Sequence, residues 1–286
     1  MTSFSGGKSY HYFTGQRWVS LTGLRKKFLK FVDKFIIYCS TKIYCDSESQ
    51  AKFISKELSE KNIEIFGKGS ISGVNIDKFN ITKQDALKKL RSIGKPQSKN
   101  LLKLLDNVKK NKLKIICFVG RVHKDKGIRE LIEGFKLHNK KFKDSYLLII
   151  GPNELNNLDY FKIKTLKNSL HIDYFKDINL ILQLAYCLIL PSYREGFGSI
   201  IIEAAASKIP IIATNIPGPK DFITHMKNGY LINPKDSQDI RKALNFFREN
   251  KGIIKVFSNN SFKKCSKYYA EDYVCDLFVN EILKKI

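Results

Sequence analysis

No stretch of this 286-residue chain stays apolar for the ~18 residues a membrane-spanning helix needs, so no span is expected. No signal peptide is read at its start. The six cysteines (Cys39, Cys45, Cys117, Cys187, Cys265 and Cys275) form no C-x-x-C pair, which argues against a structural zinc. Several sit in apolar, strand-like runs and read as buried free thiols of a reducing cytoplasm. There is no internal repeat and no low-complexity tract. Acids are scarce: 27 Asp and Glu against 51 Lys and Arg leave a net charge of +24. Such a surplus favours an anionic partner, whether a phosphorylated ligand, a membrane surface or nucleic acid. Part of it has a compositional source, because Lys, Ile and Asn are enriched together, as AT-rich coding DNA produces. Nucleic acid is disfavoured, since the cations spread along the chain and do not cluster with aromatics on one face.

What the chain does have is ample core material, at 43% hydrophobic and 12% aromatic residues. From Leu113 onward, short β-branched runs alternate with helical stretches. Strands are expected at 114–120, 146–151, 170–175, 187–192, 209–215 and 229–233. Helices are expected near 127–139, 154–167, 177–186, 199–208, 218–226 and 237–249. Nearly continuous apolar strands alternating with helices imply a parallel, doubly wound α/β sheet covered on both faces. The first hundred residues are thinner, with strands at 10–13, 42–46 and 63–66 and helices at 21–41 and 48–60. The expected organisation is a partial N-terminal domain over 1–100, a basic connector at 101–112, a complete α/β domain over 113–261 and a C-terminal helix at 262–286.

In a doubly wound sheet, ligands bind beyond the carboxyl ends of the strands where the strand order reverses. With the commonest order, the first and fourth strands of the complete domain flank that point. The first runs into GRVHKDKG, residues 120–127, and the fourth into PSYREGFGS, residues 191–199. Arg121 and Lys126, a fork-shaped guanidinium and a mobile ammonium, together suit a diphosphate. Gly198 and Ser199 open a helix whose first-turn amides form an anion site. Glu195 precedes that helix and Glu203 lies about one turn inside it. Two acids beside a diphosphate site serve better as acceptors for sugar hydroxyls than as phosphate ligands, which suits a nucleotide-sugar.

GRVHKDKG, LPSYREGFGSIIIEAAASKIPIIATNIPGPKDFI, NGYLINP and GSISGVNIDKF together resemble the retaining glycosyltransferases of family 4, which have the GT-B fold. The resemblance spans roughly residues 9 to 250 and points to bacterial capsule and O-antigen polysaccharide enzymes. It implies two Rossmann-type domains, the N-terminal one incomplete here, and an amino-terminally truncated transferase. Carried over residue by residue, it assigns the donor diphosphate to Arg121, Lys126, Gly198 and Ser199. The transferred sugar falls to Glu195, Gly196 and Phe197, with Glu195 the catalytic candidate, and the ribose to Glu203. FTGQRWVS, residues 13–20, is similar to the acceptor-side segment of these enzymes, with His11, Thr14 and Arg17 as candidates. The implied donor is a UDP-sugar and the implied acceptor a glycan or lipid-linked glycan, with no cofactor and no metal. Alternatives kept open are a nucleotide-sugar epimerase and a truncated, inactive nucleotide-sugar binder.

One further stretch, LTGLRKKFLKFVDKFIIYCS, puts Leu21, Leu24, Phe28, Phe31, Val32, Phe35 and Cys39 on one helical face. Arg25, Lys26, Lys27, Lys30 and Lys34 gather on the other. The apolar face is expected to pack on the first sheet. The lysines are then expected to draw the protein to an anionic membrane surface without insertion.

Overall fold

The computed structural model describes residues 8–58, 62–93 and 96–282. The chain forms two parallel sheets. The first holds β1 (Tyr10–Phe13), β2 (Lys42–Cys45) and β3 (Glu64–Ile65) in that order. Helix α1 (Gly23–Cys39) joins β1 to β2, and α2 (Glu48–Leu58) joins β2 to β3. Then come α3 (Ile76–Phe79), α4 (Lys83–Ser92) and α5 (Pro96–Lys110).

The second sheet contains β4 (Lys114–Val119), β5 (Ser145–Ile150), β6 (Ser169–Ile172), β7 (Cys187–Leu190), β8 (Ile211–Thr214) and β9 (Tyr230–Ile232). Their spatial order is β6-β5-β4-β7-β8-β9, all parallel, so the order reverses between β4 and β7. Every residue of β7 and β8 is buried, which is why both read as unbroken apolar runs. The crossovers are α6 (Ile128–Lys141), α7 (Asn157–Lys164), α8 (Ile178–Leu182), α9 (Ser199–Ala206) and α10 (Pro219–Phe222). After β9 the chain continues through α11 (Ser237–Glu249), α12 (Lys251–Tyr268) and α13 (Glu271–Ile282). In α11, Asp236 caps the amides of Gln238 and Asp239, and Ile240, Ala243, Leu244 and Phe247 form the buried stripe that helical spacing predicts.

Three sequence expectations differ from what is found. The stretch 101–112, read as a connector, lies mostly in α5, whose Leu101 and Leu104 are buried in the core of the second sheet. Its lysines disguise an amphipathic helix. The helix expected to begin at 262 is the second half of α12, and α13 then crosses back to the first lobe. There Val74 and Ala270 form a parallel bridge, and the Phe278 and Phe66 rings lie 5.8 Å apart. Third, α1 turns its phenylalanine face outward. It packs through Ile37, Leu29 and Ile36, and its Asp33 accepts a 2.8 Å hydrogen bond from Trp18 Nε1. The buried indole needs an acceptor, and Asp33 on the inward side of the helix supplies it. Leu24, Phe28, Phe31 and Phe35 therefore face solvent.

Several hydrogen bonds hold the lobes together. Ser49 Oγ donates to Asp221, and the Gly218 amide donates to Ser49 Oγ at 3.2 Å. Within the second lobe, Asn179 Nδ2 donates to the carbonyl of Lys78 at 2.9 Å and Gln183 Nε2 to that of Phe79 at 2.5 Å, which fixes α3 on that lobe's core. No helix among the described residues is long and apolar enough to cross a membrane.

Candidate active site

The loops after β4 and β7 meet at the reversal point, as the doubly wound order requires. Gly127 makes the meeting possible. Its φ is +67°, and a Cβ there would lie 2.1 Å from the Pro191 carbonyl oxygen. Between these loops and the first lobe lies a cavity of about 340 Å³. Of the residues singled out in the sequence, Thr14, Arg17, Arg121, Lys126, Glu195 and Gly196 all line it.

Lys126 and Glu195 are not independent groups there. Lys126 Nζ lies 2.5 Å from Glu195 Oε1, and their side chains are only 15% and 12% exposed. Ser192 Oγ donates to the same carboxylate oxygen at 2.7 Å. Arg121 donates to Glu154 at 2.5 Å, and its second terminal nitrogen lies 3.7 Å from Asp125. The cations expected to hold a diphosphate are thus held in place by carboxylates. An arriving anion would exchange one negative partner for another.

Phe197 has a buried side chain, with its ring 5.3 Å from that of Tyr269, so only its backbone is available to a ligand. Gly198 adopts φ +85° and starts α9, with Ser199 as the first helical residue. Glu203 lies one turn further along α9 and is not part of the cavity lining. Burial pushes its carboxyl up to about 7, with Lys78 the opposing charge. His11 does not reach the cavity. Its ring packs edge-on against Phe13 at 4.5 Å, and burial lowers its pKa against the pull of Asp33. His11 lies within β1, three residues before the cavity-lining Thr14.

Sequence reasoning missed other residues that the fold brings here. Asp125 is 6% exposed and accepts from Arg194 through Nε at 3.0 Å and Nη2 at 2.8 Å, while His123 Nδ1 lies 2.5 Å away. Burial opposes ionisation of Asp125, yet the hydrogen bonds and charges of His123 and Arg194 outweigh it and hold the carboxyl below the usual range. Arg194 also reaches the Gln16 carbonyl of the first lobe at 3.5 Å. Asp125 and Arg194 stood inside the two quoted loops, but nothing in their 69-residue separation signals a contact. Gln16 and Gln50 are buried in the cavity wall, and Gln16 Nε2 and Gln50 Oε1 have no hydrogen-bond partner among the described residues. Buried amide atoms left unpaired are costly.

Gly196 sets the distance between the lobes. A Cβ on it would lie 2.0 Å from the Thr14 carbonyl oxygen and 2.5 Å from Asp46 Oδ2. Asp46 is itself fixed by a 2.9 Å hydrogen bond from Tyr12. Gly196→Ala is expected to cost ~1–3 kcal/mol, as overpacking does, and to lower the melting temperature. An unchanged melt would mean that the lobes stand further apart in solution.

Two α/β lobes with a cleft at the reversal point, where cations pair with carboxylates beside a helix start, have the GT-B architecture. The sequence profile of the glycosyl transferases group 1 family matches residues 104–264, and the chain belongs to that family. It is 27% identical over 266 residues to the capsular polysaccharide biosynthesis glycosyltransferase CapM of Staphylococcus aureus, covering 91% of this chain and 66% of that protein. It is 26% identical to the UDP-Gal:alpha-D-GlcNAc-diphosphoundecaprenol alpha-1,3-galactosyltransferase of Escherichia coli, covering 90% of this chain and 64% of that one. The chain thus spans just under two thirds of the length of these two relatives. Among solved structures, Anabaena HepE in complex with UDP and glucose superposes with a TM-score of 0.77 at 16% identity, covering 99% of this chain and 74% of that one. The likeness in fold extends to sucrose-phosphate synthase of Thermosynechococcus elongatus, with TM-score 0.77, 17% identity and coverage of 96% and 67%.

Proposed function

We propose that the cleft binds a nucleoside diphosphate-sugar, with uridine as the base, and transfers its sugar with retention of configuration in the manner of family 4. The acceptor is a glycan or lipid-linked glycan of a surface polysaccharide. The observation that carries the reading is the Lys126–Glu195 contact of 2.5 Å, in the wall of the cavity that Arg121 and Gly196 also line. In this reading the diphosphate takes Lys126 and Arg121 from their carboxylate partners and rests on the Gly198 and Ser199 amides. Glu195, released from Lys126, turns to the transferred sugar beside Gly196 and the Phe197 amide. Glu203 accepts from the ribose hydroxyls. Gln16, Gln50, Thr14 and Arg17, in the cavity wall, take the acceptor or the sugar hydroxyls. The positive charge a metal would bring is supplied by Arg121 and Lys126, and no cofactor enters the proposal. The buried free thiols Cys45, Cys117, Cys187 and Cys265 fit a reducing cytoplasm.

UDP at ~100 times its dissociation constant is expected to add ~2.7 kcal/mol to stability, a rise of several degrees in a thermal melt. Arg121→Ala should weaken that ligand by ~10-fold or more, since a charge-assisted hydrogen bond contributes ~1.5–3 kcal/mol. If no nucleoside diphosphate shifts the melt, the donor site is misassigned. Transfer from a UDP-sugar that persists in EDTA would support the metal-free reading.

A further inference from the structure

Helix α1 carries a second surface that the donor cleft does not use. Leu24, Phe28, Phe31, Phe35 and Tyr38 are 58–84% exposed. At ~100° per residue they fall within an arc of roughly 80° along the whole helix. The buried side, Leu29, Asp33, Ile36 and Ile37, lies diametrically opposite. The stripe therefore points straight away from the sheet that α1 covers. A further helix in the same layer would touch the flanks of α1 and leave the stripe bare.

The flanks identify the occupant. Lys27 and Lys34 border the stripe on one side and Arg25 on the other. All three are exposed, and none forms an ion pair among the described residues. The stripe repeats every 4, 3, 4 and 3 residues, a spacing that pairs helices. A second copy of α1, however, would set Lys27 and Lys34 against cations of its partner, which like charge opposes. Aromatic rings between cationic borders are what an interfacial helix presents to an anionic bilayer, with rings in the acyl boundary and lysine heads among the phosphates. The net charge of +24 acts in the same direction. At the start of the helix, Leu21, Leu24, Phe28 and Leu29 line a shallow apolar hollow beside Arg25.

We propose that α1 is a membrane-surface anchor, lying parallel to an anionic bilayer with Leu24, Phe28, Phe31, Phe35 and Tyr38 buried in it. Arg17 and Val19, which line the cleft, lie a few residues before this helix, so the anchor is close in sequence to the cavity wall. The anchor does not depend on the donor reading, because the cleft residues take no part in it.

The test is sedimentation of the full chain with vesicles of one part phosphatidylglycerol to two parts phosphatidylcholine. Binding is expected in low salt, and a clear fraction should survive ~0.5 M NaCl, where screened charge alone would release it. Changing Phe28, Phe31 and Phe35 together to Ser should lower vesicle partition by about tenfold or more and abolish the salt-resistant fraction. The melting temperature should be unchanged, since the three rings are solvent-exposed. Lys27→Gln with Lys34→Gln should lower only the low-salt binding. Three outcomes would overturn the proposal: no binding to the anionic vesicles, binding lost in high salt and indifferent to the Phe changes, or a self-associated species that the Phe changes dissociate without vesicle binding.

Discussion

Lys126→Met is expected to lower the melting temperature by ~5–10 °C, and adding Glu195→Gln should recover most of that loss. The single change leaves the Glu195 carboxylate, 12% exposed, with Ser192 Oγ as its remaining partner among the described residues. Removing one member of a fully buried pair costs ~3–5 kcal/mol. This pair retains some solvent, so ~2–3 kcal/mol is expected, at ~2–4 °C per kcal/mol for a chain of this size. The double variant carries no uncompensated charge. A neutral amide and a thioether of similar volume should pack nearly as well as the ion pair. The measurement is a double-mutant cycle in thermal melts, read again with UDP present. Loss of Lys126 should also weaken UDP by ~10–100-fold, through one charge-assisted bond. Additive losses, with the double variant melting lowest, would mean that the two groups do not face each other.

Glu203→Gln should stabilise the protein at pH 8 and leave it unchanged near pH 4. Burial raises this carboxyl from the ordinary 4.5 to about 7, so the folded state holds the proton more tightly than the unfolded chain. The group's contribution is therefore fully present below pH 4.5, falls as pH rises, and is lost above about 7. At ~1.4 kcal/mol per unit the ionised side chain destabilises the fold at pH 8 by roughly 3 kcal/mol at most. Glutamine never ionises and escapes that penalty. A ribose that donates to the carboxylate should reverse the shift, so UDP affinity should rise between pH 5 and 7 and release a proton. Melts of both proteins across pH 4–8 check the first part, and calorimetry of UDP in two buffers checks the second. Equal melting curves at every pH would show that Glu203 is as well solvated as an ordinary surface glutamate.

Much of the second lobe was legible in the sequence because its signals are local. The apolar runs of β4, β5, β7 and β8 are long enough to be recognised one at a time, and the G-R-x4-K-G and E-x7-E loops sit at the strand ends where a reversed order uses them. Given six strands alternating with helices, the handedness of the crossovers leaves few arrangements. The reversal between β4 and β7 was one of them. Residues 101–112 were harder, because the many lysines of α5 hide the two leucines that face the core.

What the sequence determined by itself is therefore the class of fold, the six strands of the second sheet and the loops that meet at its reversal point. Each rests on residues within a few positions of one another. Tertiary structure alone decided which carboxylate each cation meets. The Lys126–Glu195 and Arg194–Asp125 contacts each span 69 residues, and pairing over that distance has no periodicity to betray it. It also decided the orientation of α1. Helical spacing shows that both an apolar stripe and a Leu29–Ile37 track exist, but not which one meets the sheet. That choice fell to Trp18, whose buried Nε1 needs the Asp33 carboxylate, and satisfying that one donor turned three phenylalanines toward solvent.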